Sequence, residues 1–271
     1  MCDIYMDPFA MFTYFNYNLL MSKIIPYNSE YLNAHLDVWQ IQTIFDDIPS
    51  TNTYLKEQAQ NLSNKTIILA NQQSSGRGRY QRQFKSTRDK GIYCSCLMKN
   101  YDPQSLTQLS FACALALAIT IEELYQLHVQ IKWPNDLLLN NKKLAGILIE
   151  SMHQAESMDV VIGFGLNVYH HDFGALSAIA LEDAYYSTLD RNEFIVHFFR
   201  TFDLLLKTEN ILALYREWMV PKGEFISTTI QGNKTEVMII DVQKNGSLLV
   251  RKEDGTELSL FNEEIQILSN L

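Results

Sequence analysis

The chain has 271 residues, of which 47% are hydrophobic and 20% charged, with four cysteines and a formal net charge of −9. Such a composition supports one or two packed domains and excludes collagen-like, Pro-rich and generally disordered chains. The acidic balance disfavours a broadly basic nucleic-acid binder, and so few cysteines fit a reducing, cytoplasmic compartment better than a disulfide scaffold.

Residues 1–49 hold Lys23 alone against six acids, and the first twenty contain Asp3 and Asp7 but no basic residue, the wrong start for a secretory signal. Residues 1–40 are expected to form an extension, disordered in part, with the Phe and Tyr cluster at 9–17 in a poorly ordered tail. Ile48-Pro49-Ser50-Thr51-Asn52 reads as a loop whose Ser50 or Thr51 caps a helix running through Gln60. The β-branched run 66–70 predicts a strand, and 91–97 predicts another after the polar segment 72–90. Residues 105–127 predict a long helix; its most apolar run, 109–121, falls short of a membrane span, so burial rather than membrane insertion is expected. A strand at 129–133, a Pro134-Asn135-Asp136 turn, a hairpin from 137–139 to 144–151 and a strand at 160–168 follow. The spacing of Ile195, Phe198, Phe199, Phe202, Leu205 and Leu206 predicts a helix over 192–207, and a second covers 210–219 until Pro221 and Gly223 end it. Beyond them, Gly232-Asn233, Asn245-Gly246 and Asp254-Gly255 mark hairpins of a small β-barrel. Strands mixed with helices, without regular βαβ alternation, predict an α+β fold with a mixed, largely antiparallel sheet flanked by helices.

Residues 71–100 carry seven basic side chains against Asp89 alone, a local anion-handling patch in an acidic protein. At its centre stands Gly76-Arg77-Gly78-Arg79, with Gln73 three residues before. Paired glycines expose backbone N–H groups, and arginines supply planar forks for phosphate or carboxylate. The segment lacks the Gly-Lys-Ser/Thr of a Walker A loop and the third glycine of a dinucleotide fingerprint. A second constellation is Lys132-Trp133-Pro134-Asn135-Asp136 followed by Lys143, Ala145-Gly146-Ile147-Leu148 and Glu150, where a small Ala-Gly pair lets a ligand approach the backbone. The third is Gly163-Phe164-Gly165-Leu166-Asn167 at a strand end. Each alone also reads as ordinary loop, hairpin or packed strand. Cys94 and Cys96 read as core residues, Cys2 and Cys113 as unremarkable, His170-His171 as a surface loop and Trp218 as interdomain packing.

In this order, with Ser50-Thr51-Asn52 ahead of them and Tyr93 between the first two, these pieces resemble the biotin protein ligase family, strongly over 45–170. The resemblance implies a catalytic domain at 41–220, similar to class II aminoacyl-tRNA synthetases, and a Src-homology-3-like barrel at 221–271. It implies an ATP-dependent biotin–[acetyl-CoA-carboxylase] ligase. Biotin and MgATP give biotinyl-5′-AMP, and biotin then passes to a lysine of a biotin carboxyl carrier protein domain. Lys143 and Arg79 match the catalytic cations. Ser50, Thr51, Asn52, Gln73, Gly76, Arg77, Gly78, Arg79, Tyr93, Lys143, Gly146, Leu148, Gly163 and Gly165 match the biotin site. Arg79, Arg82, Phe84, Lys132, Trp133, Asn135, Asp136, Lys143 and Asn167 match the adenylate side. Mg²⁺ is expected with the nucleotide rather than on protein side chains alone.

Two positions depart from the family loop Gly-Arg-Gly-Arg-x-Gly-Arg-x-Trp: Gln81 replaces the third glycine and Phe84 the tryptophan, while Arg82 is kept. Gln81 takes positive φ at a cost, so the loop is expected to close differently, ordering more slowly or holding ATP more weakly. The acidic N-terminal stretch is too short and has the wrong sign for a DNA-reading domain, so no DNA partner is expected. A homodimer is left open. Two alternatives remain at this level: a lipoate or octanoyl transferase of the same superfamily, and a non-catalytic biotin-binding module.

Overall fold

The structure, a computed structural model, describes residues 24–153, 158–230, 232–261, 263 and 265–268. Cys2 and the aromatic cluster at 9–17 lie outside them. The larger sheet comprises β1 Gln40–Phe45, β2 Thr66–Ala70, β3 Gly91–Tyr101, β4 Gln130–Lys132, β5 Asp136–Leu139, β6 Lys142–His153 and β7 Met158–Asn167, in the order β1-β2-β3-β7-β6-β5-β4. β1 and β2 run parallel, and the other neighbouring pairs are antiparallel. The fold is α+β with a mixed sheet flanked by helices, as the sequence predicts.

β3 and β7 lie at the centre and are buried over most or all of their length, because both faces of the sheet are covered. On one face Cys94, Cys96, Ile162 and Phe164 join the main core with helices α3 (Leu106–Tyr125) and α4 (Arg191–Leu205). The rings of Phe164 and Phe198 meet there at 4.5 Å. The thiols of Cys94, Cys96 and Cys113 are inert in this setting, since burial pushes them well above their usual range. The segment Pro103–Tyr125 has the length and apolar character of a membrane span, but α3 is buried among the sheet, α4 and its neighbours. On the opposite face Ile68, Leu97 and Val161 pack against Leu55 of helix α2 (Thr51–Gln58), and part of this face is left for the site.

Residues 24–40 depart from the expected extension. They form α1 (Ser29–His35), capped by Asn28, whose own N–H donates to Asn192 Oδ1 at 2.8 Å. Leu32 and Leu36 enter the core, and Trp39 sits 4.7 Å from Phe199. The fully buried Arg191 donates to Ile25 O and stacks on Tyr27. So few apolar residues give no helical period, and a register shift between Ile41 and Thr43 breaks the alternation of β1, so neither element was legible.

After α5 (Ile211–Trp218) the chain forms β8 Phe225–Ile230, β9 Asn233–Val242, β10 Leu248–Arg251, β11 Glu257–Leu260 and β12 Ile265–Ile267. These make a five-stranded antiparallel sheet in the order β11-β10-β9-β8-β12. Its Ile226, Val237, Ile239, Leu248 and Val250 are continuous with the main core. Polar ties reinforce this packing. Trp133 Nε1 donates to Gly246 O at 2.9 Å, at a turn with φ +84°. Arg216 Nε donates to Asp241 Oδ1 at 2.8 Å. Trp218 packs on the core and stacks on His128 at 5.7 Å.

Candidate active site

Glycines bare one patch of the sheet. Strand register sets Gly146 beside Gly165 beside Tyr93, and in the next row Leu148 beside Gly163 beside Ser95. Above this patch lies a cleft of about 730 Å³. Its sides are the N-terminus of α2, the loop 76–84, the turn between β4 and β5, the segment 173–178 and Ile265–Ile267 of β12.

One end of the cleft is neutral and polar. Ser50 caps α2, and Thr51 and Asn52 follow in its first turn. Thr51 N–H donates to Gln73 Oε1 at 2.9 Å, and Gln73 Nε2 donates to Ser86 Oγ at 3.0 Å. Thr51 Oγ1 lies 2.6 Å from Ser95 Oγ and 3.1 Å from Gln73 Oε1, while Ser95 Oγ donates to Asn52 Oδ1 at 2.6 Å. Two hydroxyl protons serve three contacts. The two 2.6 Å contacts each need a proton, whereas 3.1 Å between oxygens is tolerable without one. Thr51 therefore donates to Ser95. Asn52 Nδ2 donates to Leu148 O and, at 3.0 Å, to Glu150 Oε2. Gly163 exists to seat this amide: a Cβ there would lie 1.9 Å from Asn52 Oδ1.

Glu150 closes the polar end. Lys56 Nζ is 2.8 Å and Arg77 Nη1 3.5 Å from its Oε1. Burial alone would raise this carboxyl, but the bonds from Lys56 and Asn52 and the charges of Lys56 and Arg77 outweigh it and hold the group below its usual range.

The loop 76–84 is a small hairpin. Gly78 N–H donates to Arg82 O at 2.8 Å, Phe84 N–H donates to Gly76 O at 2.9 Å, and Arg77 bridges Gln83. The left-handed residue is Tyr80, at φ +54°, so the backbone demand expected at Gln81 falls one position earlier. Arg79 lies over the Tyr80 ring at 5.1 Å and reaches Asn135 Oδ1 at 3.5 Å.

The other end of the cleft is ionic. Lys143 Nζ lies 2.6 Å from Asp136 Oδ1, and both groups border the empty side of Gly146. The backbone of Lys143 is clamped to Ser177 O and Ile179 N, and Asn167 Nδ2 donates to Ile179 O at 3.1 Å. Asn135 exchanges hydrogen bonds with the backbone of Ile147, which fixes its side chain. Lys132, Arg82 and the nearly buried Trp133 also line this end.

The cleft thus unites the expected residues, with two exceptions. Gly76 is buried beneath the loop, where a Cβ would meet Phe84 O at 2.5 Å; its role is close packing. Tyr93 is fully buried and donates to Thr87 O at 2.7 Å, so it supports the site from below. Phe84, expected against a nucleotide base, lies flat on Gly165, where a Cβ would come within 2.4 Å of its ring, and edge-on to Tyr93. Sequence reasoning assigned no role to Ser95 or Glu150. Both were within reach of the two-residue strand period: Glu150 shares a face of β6 with Gly146 and Leu148, and Ser95 alternates with the core thiols. Among the described residues no three Cys, His, Asp or Glu side chains cluster in a metal-binding arrangement. His170 pairs with Asp183, and His171 packs on Phe173.

Fold and cleft define an α+β domain whose glycine-bared sheet carries a neutral polar pocket at one end and a cationic one at the other. Residues 44–167 match the Biotin/lipoate A/B protein ligase family. The bifunctional ligase/repressor BirA of Bacillus subtilis is 36% identical over 126 residues, 45% of this chain and 39% of that protein. The chain's match thus spans about two fifths of the length of that relative. BirA of Escherichia coli is 28% identical over 88% of this chain and 79% of its own. A biotin–[acetyl-CoA-carboxylase] ligase of Paracoccus denitrificans is 27% identical over 77% and 93% respectively. In fold, the chain resembles the biotin protein ligase of Aquifex aeolicus solved with biotin and ATP, with a TM-score of 0.71, 23% identity, and coverage of 84% of this chain and 98% of that one.

Proposed function

We propose that this chain is a biotin protein ligase. It activates biotin with MgATP to biotinyl-5′-AMP and transfers biotin to a lysine of a biotin carboxyl carrier protein domain, such as that of acetyl-CoA carboxylase. The observation that carries this reading is the pairing, in one cleft, of the Gln73–Thr51–Ser95–Asn52 network with the Lys143–Arg79 end. Biotin has a ureido head that needs both donors and acceptors, an apolar ring body and a carboxylate tail. The head suits the network, the body suits Leu148 and the Phe84 ring that covers Gly165, and the tail suits Lys143. A lipoyl dithiolane has no polar group to meet the network, which favours biotin over lipoate.

A biotin carboxylate oxygen attacks the ATP α-phosphorus, and pyrophosphate leaves. Two anions must meet, and Lys143 and Arg79 stabilise the charge building on the phosphoryl oxygens. The carrier lysine amine then attacks the acyl carbon, AMP departs and an amide forms. No nucleophilic side chain is required. Asn135, Asn167, Lys132, Trp133 and Arg82 are assigned to the adenylate; the metal would arrive with the nucleotide, and Asp136 would contact it only indirectly. The hairpin 76–84 covers the mixed anhydride and keeps water away. We read residues 41–220 as a catalytic unit of class II synthetase type and 221–271 as a small barrel whose last strand walls the cleft. Incubation with biotin, MgATP and an apo carrier domain should add one biotinyl group to the carrier by mass. A carrier left unmodified while the protein is folded overturns the reading.

A further inference from the structure

A nucleotide base is a flat ring, and it binds well where an aromatic side chain leaves a face open to it. Five aromatic side chains stand among the described residues that border the cleft: Tyr80, Phe84, Trp133, Phe164 and Phe173. Four are engaged elsewhere. Phe164 belongs to the main core, 4.5 Å from Phe198. Trp133 is only 2% exposed, and its Nε1 donates to Gly246 O. Phe84 lies on Gly165 in the floor, where the biotin body is assigned. Phe173 packs against His171 at 4.2 Å. Tyr80, by contrast, is 57% exposed. Arg79 lies over its ring at 5.1 Å, and Arg79 Nη2 donates to its hydroxyl at 3.3 Å. The same guanidinium reaches Asn135 Oδ1 at 3.5 Å, which stations the Tyr80 ring at the end of the cleft assigned to the adenylate. Tyr80 also holds φ +54°, where glycine would serve the turn at less cost. A costly backbone at a cleft wall points to a side chain that the site uses.

We infer that Tyr80 is the residue on which the base of ATP stacks, in place of Phe84, with Arg79 bracing the ring from its other face. This deepens the ligase reading and rests on it. One guanidinium then supports the shelf for the base and meets the phosphates. The rival role for Tyr80 is to shelve Arg79 alone, without touching the base. The two roles differ in their effect on a ligand that has the phosphates and no base.

The test uses the full chain. Pyrophosphate release gives kcat and the KM values for biotin and MgATP, and competition gives Ki for magnesium tripolyphosphate, which lacks a base. In Tyr80→Leu the MgATP KM should rise about tenfold, as for one lost base–aromatic stack, while the biotin KM and the tripolyphosphate Ki stay within about twofold. Tyr80→Phe keeps the ring and should stay within about threefold of the wild-type MgATP KM. An unchanged MgATP KM in Tyr80→Leu, or one that rises in step with the tripolyphosphate Ki, overturns the inference and leaves the ligase reading intact. A tenfold rise in Tyr80→Phe overturns it as well, since the effect then belongs to the hydroxyl. So does a rise in Phe173→Leu with none in Tyr80→Leu, which moves the shelf to the 173–178 segment. Wild-type protein that releases no pyrophosphate with biotin and MgATP overturns the ligase reading and the inference with it.

Discussion

The Lys143 ammonium is stored on a carboxylate, 2.6 Å from Asp136 Oδ1, on a residue whose backbone is tied on both sides to the 177–179 segment. A cation so placed needs no reorganisation when two anions meet in front of it, which is the condition under which an electrostatic contribution to catalysis is largest. Lys143→Ala should therefore lower biotin-dependent pyrophosphate release by at least about 10²-fold with the fold retained, as judged by an unchanged circular dichroism spectrum. Near-normal release would remove Lys143 from the mechanism. Gly163→Ala tests the other end. The added methyl would fall 1.9 Å from Asn52 Oδ1, so the amide must leave its seat. The biotin KM should rise about tenfold, the value of a displaced hydrogen-bond partner, while the MgATP KM stays put. A matching rise in both would mean a general collapse of the sheet rather than a local loss. The residues of the cleft were legible because their types announce chemistry: arginines between glycines, a lysine after a turn, hydroxyls at a helix cap. Glu150 and Ser95 act through neighbours on other elements, and pairing across β3, β7 and β6 cannot be read from one strand.

Among the elements, the hairpin 76–84 concentrates the departures from the family loop. The sequence locates the loop and its arginines but not which residue takes the left-handed backbone, because the closing pairs Gly78–Arg82 and Gly76–Phe84 decide it. That residue is Tyr80, and its ring carries Arg79 at 5.1 Å with a hydrogen bond from Arg79 Nη2 to the phenol at 3.3 Å. Tyr80→Gly sets two effects against each other. Relief of the left-handed backbone is worth about 1–2 kcal/mol, and the lost cation–π contact and hydrogen bond together about 1–2 kcal/mol. Stability should barely change, with Tm within about 3 °C. Arg79, however, loses its shelf, so adenylation kcat should fall several-fold while the biotin KM holds. A variant at full kcat would show that the placing of Arg79 does not depend on the Tyr80 ring. Long elements such as α3 and the strands β2 and β7 were legible from their apolar runs. The parallel pair β1–β2 was not, since its bulge hides the period and its partner lies beyond a helix.

At the scale of the molecule, the site is shared. β12 walls the cleft, and the turn at Gly246 holds Trp133 in the β4–β5 turn that also carries Asn135 and Asp136. The tie between α5 and the five-stranded sheet has an acid-sensitive member. Asp241 Oδ1 accepts from Arg216 at 2.8 Å, lies 3.1 Å from Lys222 Nζ and accepts from Val242 N–H at 2.8 Å. Burial opposes ionisation there, but the Lys222 and Val242 hydrogen bonds and the two positive charges prevail, and the carboxyl is held below its ordinary range. A carboxyl depressed in the folded state contributes stability that is complete above the unfolded value, about 4, and disappears as pH falls through the lower folded value. The wild-type Tm should therefore drop on acidification from pH 5 toward pH 3, to which other paired carboxylates also contribute. Asp241→Asn, which has no charge to lose, should start lower at pH 7 and drop less over that range. Because β12 borders the cleft, the same variant should raise the substrate KM values modestly at neutral pH. Parallel Tm curves for the two proteins between pH 7 and pH 3 would show that the Arg216–Asp241–Lys222 cluster does not hold the five-stranded sheet to α5.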